Sequence, residues 1–231
     1  MASTLRRLVL GGLVVLALAT GCVGTPIPQP PALDPPDAER IAYEMVGSTT
    51  ELVGSPGAAL PGTTLWGVNL DDVLDPQTTV VNEDGSFSLA VFALPGQELR
   101  VQTRDGVDRS RPVDVLVPRG EIVRRTEACL TLEPALELRR AVDVGALDPQ
   151  RVRVTNGCGA QVVIDEVALR RPSEAWSVAT PGPITVPVGA SADLEVVFQP
   201  PRVGLHEEIL FVVIGAPEVD RRPITLSGEG R

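Results

Sequence analysis

The sequence predicts an all-β protein made of two sandwiches in tandem, and three observations carry that expectation. Short runs rich in β-branched residues recur along the chain: "TTLWGVNL", "SFSLAVF", "ELRVQT", "RVRVTN", "DLEVVF", "EILFVVI" and "PITLSG". Gly, Pro, Asn and Asp interrupt these runs as turns require. Beyond residue 40 no segment shows the apolar spacing of a helix, and the remaining stretch of about 190 residues is long enough for two small domains.

The chain starts with a segment of a different kind. Arg6 and Arg7 precede a nearly unbroken apolar run from Leu8 to Ala19, the anatomy of an export signal. A bilayer-spanning helix needs roughly 20 apolar residues, and this run is shorter, so residues 1–21 are expected to be removed. The order Ala19, Thr20, Gly21, Cys22 resembles the lipobox of bacterial lipoproteins, although Leu18 stands one place earlier than the usual leucine. That resemblance implies acylation of the Cys22 thiol and a lipid anchor. The competing reading is an ordinary signal peptide with an incidental cysteine. Val23 follows where the resemblance would place an aspartate for inner-membrane retention, so the expected location is the outer membrane of a bacterial cell envelope.

Residues 22–40 read as a tether. Pro26, Pro28, Pro30, Pro31, Pro35 and Pro36 fix their φ angles and withhold backbone donors. Such a segment favours polyproline II, and at about 3.1 Å per residue it spans roughly 50 Å when extended.

The first sandwich is expected over residues 41–118. Asn82-Glu83-Asp84-Gly85 reads as a turn with Gly85 at positive φ, joining Thr79–Val81 to Phe87–Val91 as antiparallel neighbours. Phe87, Leu89 and Val91 share one face and should point inward. This order of "PG", "DGSF" and "LRVQTRDG" resembles bacterial immunoglobulin-like and carboxypeptidase-regulatory-like domains. Some such domains bind calcium through clustered acids, which makes Asp71, Asp72, Asp75, Asp84 and Asp105 candidates. Their order is not that of an EF-hand, and solvated turns account for them as well.

After a linker at residues 119–125, a second sandwich is expected over residues 126–231. Val152 and Val154 alternate with Arg151 and Arg153, and Leu194, Val196 and Phe198 alternate with Asp193 and Glu195, as half-buried strands do. "EILFVVI" is apolar on both faces and reads as a central strand. Pro200 and Pro201 end the strand before it. Pro223 makes "RPITLSGEG" a candidate edge, or else merely begins a paired strand. The Thr155-Asn156-Gly157 turn, Val188-Gly189, Phe198-Gln199-Pro200-Pro201 and Leu226-Ser227-Gly228 resemble the ASPM/Hydin-type (ASH) domain, also found in choice-of-anchor D proteins and related in fold to major sperm protein. Immunoglobulin-like sandwiches are what both resemblances imply. This second unit is expected to fold alone.

Cys129 and Cys158 are the natural disulfide pair in an exported chain. If "CLTLEP" and "RVRVTN" are antiparallel neighbours, the start of one lies beside the end of the other and brings the two cysteines together. Two buried thiols are the alternative.

Composition excludes several classes of function. Net charge is −10, and loss of Arg6 and Arg7 with the leader makes it −12, so nucleic acid and anionic lipid would be repelled. Aromatic residues make up only 3%, too few for stacking platforms, and Tyr43, Trp66 and Trp176 are expected mainly in cores. His206 is the only histidine; "HEE" lacks the second histidine of a zinc-protease helix, and no Gly-x-Ser-x-Gly elbow occurs. The expectation is a non-catalytic structural or protein-interaction module with no cofactor and no small-molecule substrate. A surface adhesin or glycan-binding module is the second reading, and a glycosidase-like enzyme using two acids is the third.

Overall fold

The computed structural model describes residues 33–123, 129–134 and 137–231. Cys22, the apolar leader and most of the tether lie outside the described residues, as do residues 124–128 of the linker region. The described chain is all-β apart from one 3-10 turn at Ala38–Arg40.

The first sandwich has two antiparallel sheets. One is β1 (Ile41–Val46), β2 (Thr49–Gly54) and β5 (Phe87–Phe92), in that order across the sheet. The other follows the order β4 (Gln77–Val80), β3 (Thr64–Asn69), β6 (Glu98–Asp105), β8 (Val113–Leu116) and β9 (Glu121–Ile122), with β7 (Asp108–Arg109) also on β6. Leu52, Leu65, Phe87, Leu89, Val91, Leu99, Val101 and Val115 fill the space between them. Phe87, Leu89 and Val91 point inward while Ser88, Ala90 and Phe92 face out, the period of two that the sequence displays. A Cβ at Gly67 would lie 2.8 Å from Leu89 Cδ2, so the sheets close to this distance only because that position has no side chain.

The Asn82–Gly85 turn forms, with Gly85 at φ 83° and its N–H donated to the Asn82 carbonyl at 2.9 Å. It does not make the expected hairpin. β4 pairs with β3 and β5 pairs with β2, so the turn is an arch that carries the chain from one sheet to the other. Turn residues specify the reversal; the ladder each strand joins is decided by burial elsewhere.

The second sandwich places β10 (Leu130–Glu133), β12 (Asp148–Asn156), β16 (Ser191–Phe198) and β14 (Trp176–Val178) in one sheet. Facing it are β11 (Glu137–Val142), β18 (Asp220–Gly230), β17 (Gly204–Ala216), β13 (Val162–Leu169) and β15 (Ile184–Val186). Trp176 and Phe198 lie 4.5 Å apart between centroids in a core completed by Val152, Val154, Leu194, Leu210 and Ile224. β17 is central, as its two apolar faces imply. The proposed edge is not one: β18 is flanked by β17 and, from Thr225 to Gly230, by β11 running parallel to it. Pro223 sits just before that parallel pairing begins, where the missing N–H is not needed.

The sandwiches do not stand apart on a linker. The sheet containing β3 and β6 packs against the sheet containing β17 and β18, giving four stacked layers. Trp66, Val68 and Leu70 of the first sandwich and Ile209 and Phe211 of the second form a buried apolar cluster, with Val213 against it. This is why β3 and β6 are buried on both faces. The second sandwich alone would expose Ile209 and Phe211.

Candidate functional site

The junction between the sandwiches gathers most of the buried charge in the described chain. Arg100 on β6 is 1% exposed, with its Nε and Nη2 on the two carboxylate oxygens of Asp114 at 2.7 and 2.9 Å. It also donates across the junction to Thr225 Oγ1 at 3.1 Å and to the Pro223 carbonyl at 2.9 Å. One guanidinium thus bolts both sandwiches, and its planar fork suits that geometry.

Other arginines repeat the device. Arg104 stacks 4.1 Å from the centroid of Trp66 and donates to Glu207 at 2.8 Å, and Arg109 pairs with the same carboxylate. Arg221 lies 4.6 Å over Phe211 while reaching Asp71 at 2.8 Å and Glu98 at 3.0 Å. From the end of β13, Arg170 donates to the carbonyls of Asn69, Asp72 and Leu74 at 3.0, 2.6 and 3.0 Å, clasping the loop after β3. Burial pulls the Arg170 guanidinium below its ordinary pKa, against the opposing pull of Glu208. Arg171 bridges Asp75 and Glu208; its hydrogen bond to Asp75 raises its own pKa and holds the Asp75 carboxyl below the usual carboxylate range.

The calcium candidates are therefore divided among other partners. Asp71 and Asp75 bind arginines of the second sandwich, and the Asp72 side chain accepts from the Leu74 N–H at 3.0 Å. Asp84 accepts from the Ser86 N–H at 2.9 Å, and Asp105 is exposed at the β6–β7 turn. Among the described residues no group of three or more His, Cys, Asp or Glu side chains converges as a metal site would. Trp66 belongs to the junction and Trp176 to the second core. Tyr43 is half-buried against the first core, and its hydroxyl has no hydrogen-bond partner among the described residues. His206 Nε2 lies 2.9 Å from the Arg202 carbonyl, and among the described residues no acid or nucleophile is hydrogen-bonded to it.

Cys129 and Cys158 are bonded, their Cα atoms 4.9 Å apart. β10 and β12 pair antiparallel with Leu130 opposite Asn156, the register that the two cysteines require. Buried Asn156 fastens the turn: its Nδ2 donates to the Ala160 and Val186 carbonyls, and its Oδ1 accepts from the Cys158 N–H, each at 2.9 Å.

Beside β9 and β10 the junction opens into a cleft of about 760 Å³. Val113, Ile122, Leu130 and Leu132 give it apolar walls, with Arg100, Asp114 and Arg222 at its base. Arg222 is anchored on Asp220 at 2.9 Å and on the Leu130 carbonyl at 3.0 Å. Such a surface can hold an extended apolar segment, and the Arg100 and Asp114 groups beneath it are paired with each other.

No protein-family model matches the chain, and no curated protein matches it. Among solved structures it is similar to the ASH/PapD-like domain of human CEP192 (PapD-like domain 7), at 10% identity and TM-score 0.36 over 45% of this chain and 85% of that one. It is also similar to SSP-19, an MSP-domain protein of Caenorhabditis elegans, at 16% identity and TM-score 0.34 over 43% of this chain and 99% of that one. A protein from Porphyromonas gingivalis W83 aligns at 13% identity and TM-score 0.37 over 84% of this chain and 97% of that one. The described chain is all-β, built from two β-sandwiches.

Sequence reasoning missed the junction. Its signal was present in β17, where Ile209, Phe211 and Val213 make a second apolar face that a solvated sheet would not carry.

Proposed function

We infer that the protein is a lipid-anchored, non-catalytic component of a bacterial cell envelope, acting as a structural or protein-interaction module. The observation that carries this reading is the arginine-bolted junction, which turns two small sandwiches into one stiff body suited to presenting loops and sheet edges in a fixed arrangement. Support for the anchor comes from the apolar leader ending at Ala19-Thr20-Gly21-Cys22 and from the Pro-rich stretch behind it. The buried positions of Trp66 and Trp176 weigh against a glycan-stacking role.

Two measurements test this. Wild-type protein should take up labelled palmitate and partition with detergent, and Cys22→Ala should do neither. A Cys22→Ala protein that loses its leader yet still partitions with membranes would contradict the anchor. Crosslinking in intact cells should capture a defined envelope protein; turnover of a substrate by the purified chain would overturn the non-catalytic reading.

A further inference from the structure

The chain has three asparagines, Asn69, Asn82 and Asn156, and only Asn156 is followed by a glycine. Glycine leaves its own amide nitrogen unshielded and its backbone free to turn, so the Gly157 nitrogen can reach the Cγ of the asparagine before it when the segment is loose. That attack forms a cyclic imide and expels the side-chain amide. Asn156 is therefore the position of this chain most open to deamidation.

In the folded protein each group that would react is held. The Gly157 N–H donates to the Cys129 carbonyl at 3.0 Å, so the attacking nitrogen keeps its proton engaged. Asn156 Nδ2, the leaving group, donates to the Ala160 and Val186 carbonyls, while Oδ1 accepts from the Cys158 N–H, each at 2.9 Å. The residue is 0% exposed, which keeps water and hydroxide away from Cγ.

The disulfide closes this arrangement. Cys129, whose carbonyl receives the Gly157 N–H, is bonded through sulfur to Cys158, the residue after Gly157. Beyond it the β10–β12 ladder runs for only four pairs, from Leu130 opposite Asn156 to Glu133 opposite Arg153. Short terminal segments open locally far more easily than the middle of a sheet. With the sulfur bond intact, such an opening cannot part Cys129 from Gly157; with the bond cut, it parts them and admits water to Asn156.

We propose that Asn156–Gly157 is a modification site gated by the Cys129–Cys158 bond: reduction of the disulfide releases deamidation of Asn156, and deamidation then bars the turn from re-forming. This goes beyond the interaction-module reading and does not depend on it. A dithiol reductant converts the disulfide to two thiols and becomes a disulfide itself. Base then removes the Gly157 amide proton, the nitrogen bonds to Asn156 Cγ, and Nδ2 leaves as ammonia. Water opens the imide at one of its two carbonyls, giving an aspartyl or isoaspartyl residue in place of Asn156. The new carboxylate has no proton to donate to the Ala160 and Val186 carbonyls, and three acceptors would face one another in a buried place. Reoxidising the thiols cannot reverse that change.

The test is peptide mass spectrometry of the purified full chain after incubation at mildly alkaline pH, oxidised, kept reduced by a dithiol, or reduced and unfolded in denaturant. Deamidation at Asn156 should be at least about tenfold faster in the reduced protein than in the oxidised one, since local opening sets the rate. The double variant Cys129→Ala with Cys158→Ala should behave as the reduced protein does without any reductant. In the unfolded sample Asn156 should outpace Asn69 and Asn82, and Gly157→Ala should slow it whether or not that variant folds. Oxidised Asn156→Asp should melt below the wild type or fail to fold. Equal rates in oxidised and reduced protein, or an unmodified Asn156 in reduced protein while the unfolded sample reacts, would overturn the gate. An Asn156 no faster than Asn69 and Asn82 in the unfolded chain would overturn the site, and an Asn156→Asp protein as stable as wild type would overturn the bar to re-forming the turn.

Discussion

Replacing Arg100 with alanine removes the most completely enclosed charge at the junction. It leaves the Asp114 carboxylate, 13% exposed, without its bidentate partner, and leaves Thr225 Oγ1 and the Pro223 carbonyl without a donor. Breaking a buried pair from one side costs about 3–5 kcal/mol. For a folded body of roughly 200 residues, each kcal/mol moves Tm by about 2–4 °C, so Arg100→Ala should lower Tm by about 6–20 °C. Removing the partner as well should restore much of this: Arg100→Met with Asp114→Leu takes both charges away and retains apolar volume. Differential scanning calorimetry of the single and double variants reads both effects. A single variant within about 1 kcal/mol of wild type, or a double variant worse than the single, would refute the claim that this guanidinium holds the layers together.

Phe211→Ala should cost about 3–5 kcal/mol by opening a cavity in the junction, measured by denaturant unfolding. Burial pushes the Tyr43 hydroxyl up to about 12, so the neutral form favours the folded state. Stability from this source is complete below the ordinary value of about 10, and about 2 kcal/mol of it should be lost between pH 10 and 12. Tyr43 is the only tyrosine, so absorbance at its phenolate band during alkaline titration reports it directly, and Tyr43→Phe should flatten the alkaline stability loss. Reducing the Cys129–Cys158 bond, which closes a separation of 29 residues, should destabilise by roughly 3–4 kcal/mol, with intact mass before and after reduction confirming that the bond was present.

How much of this could be read in the sequence differs from element to element. The alternation in "SFSLAVF" and "RVRVTN" fixes which residues face the cores, because a strand offers only two faces. Antiparallel pairing of "CLTLEP" with "RVRVTN" was legible as a condition that brings Cys129 and Cys158 together, and the two strands do pair. The Asn82–Gly85 turn was legible as a reversal and illegible as an arch, since turn chemistry is local and sheet membership is not. β6 shows the deeper limit. Glu98, Arg100, Gln102 and Arg104 share one face and look wetted, yet Glu98, Arg100 and Arg104 meet an arginine, a carbonyl and an acid of the other sandwich. Polarity alone does not tell a hydrated face from one satisfied by a protein partner. Asp71 and Asp75 look like turn or calcium acids for the same reason, and the arginines that bind them lie about a hundred residues or more further along the chain.

Calorimetry of the oxidised wild-type protein tests the four-layer stack most directly. If the junction makes the two sandwiches one body, heat unfolding is a single transition whose calorimetric and van't Hoff enthalpies agree. Tryptophan fluorescence should follow the same curve, because Trp66 reports the junction and Trp176 the second core. Two separable transitions, with Trp66 released while Trp176 remains buried, would contradict the account.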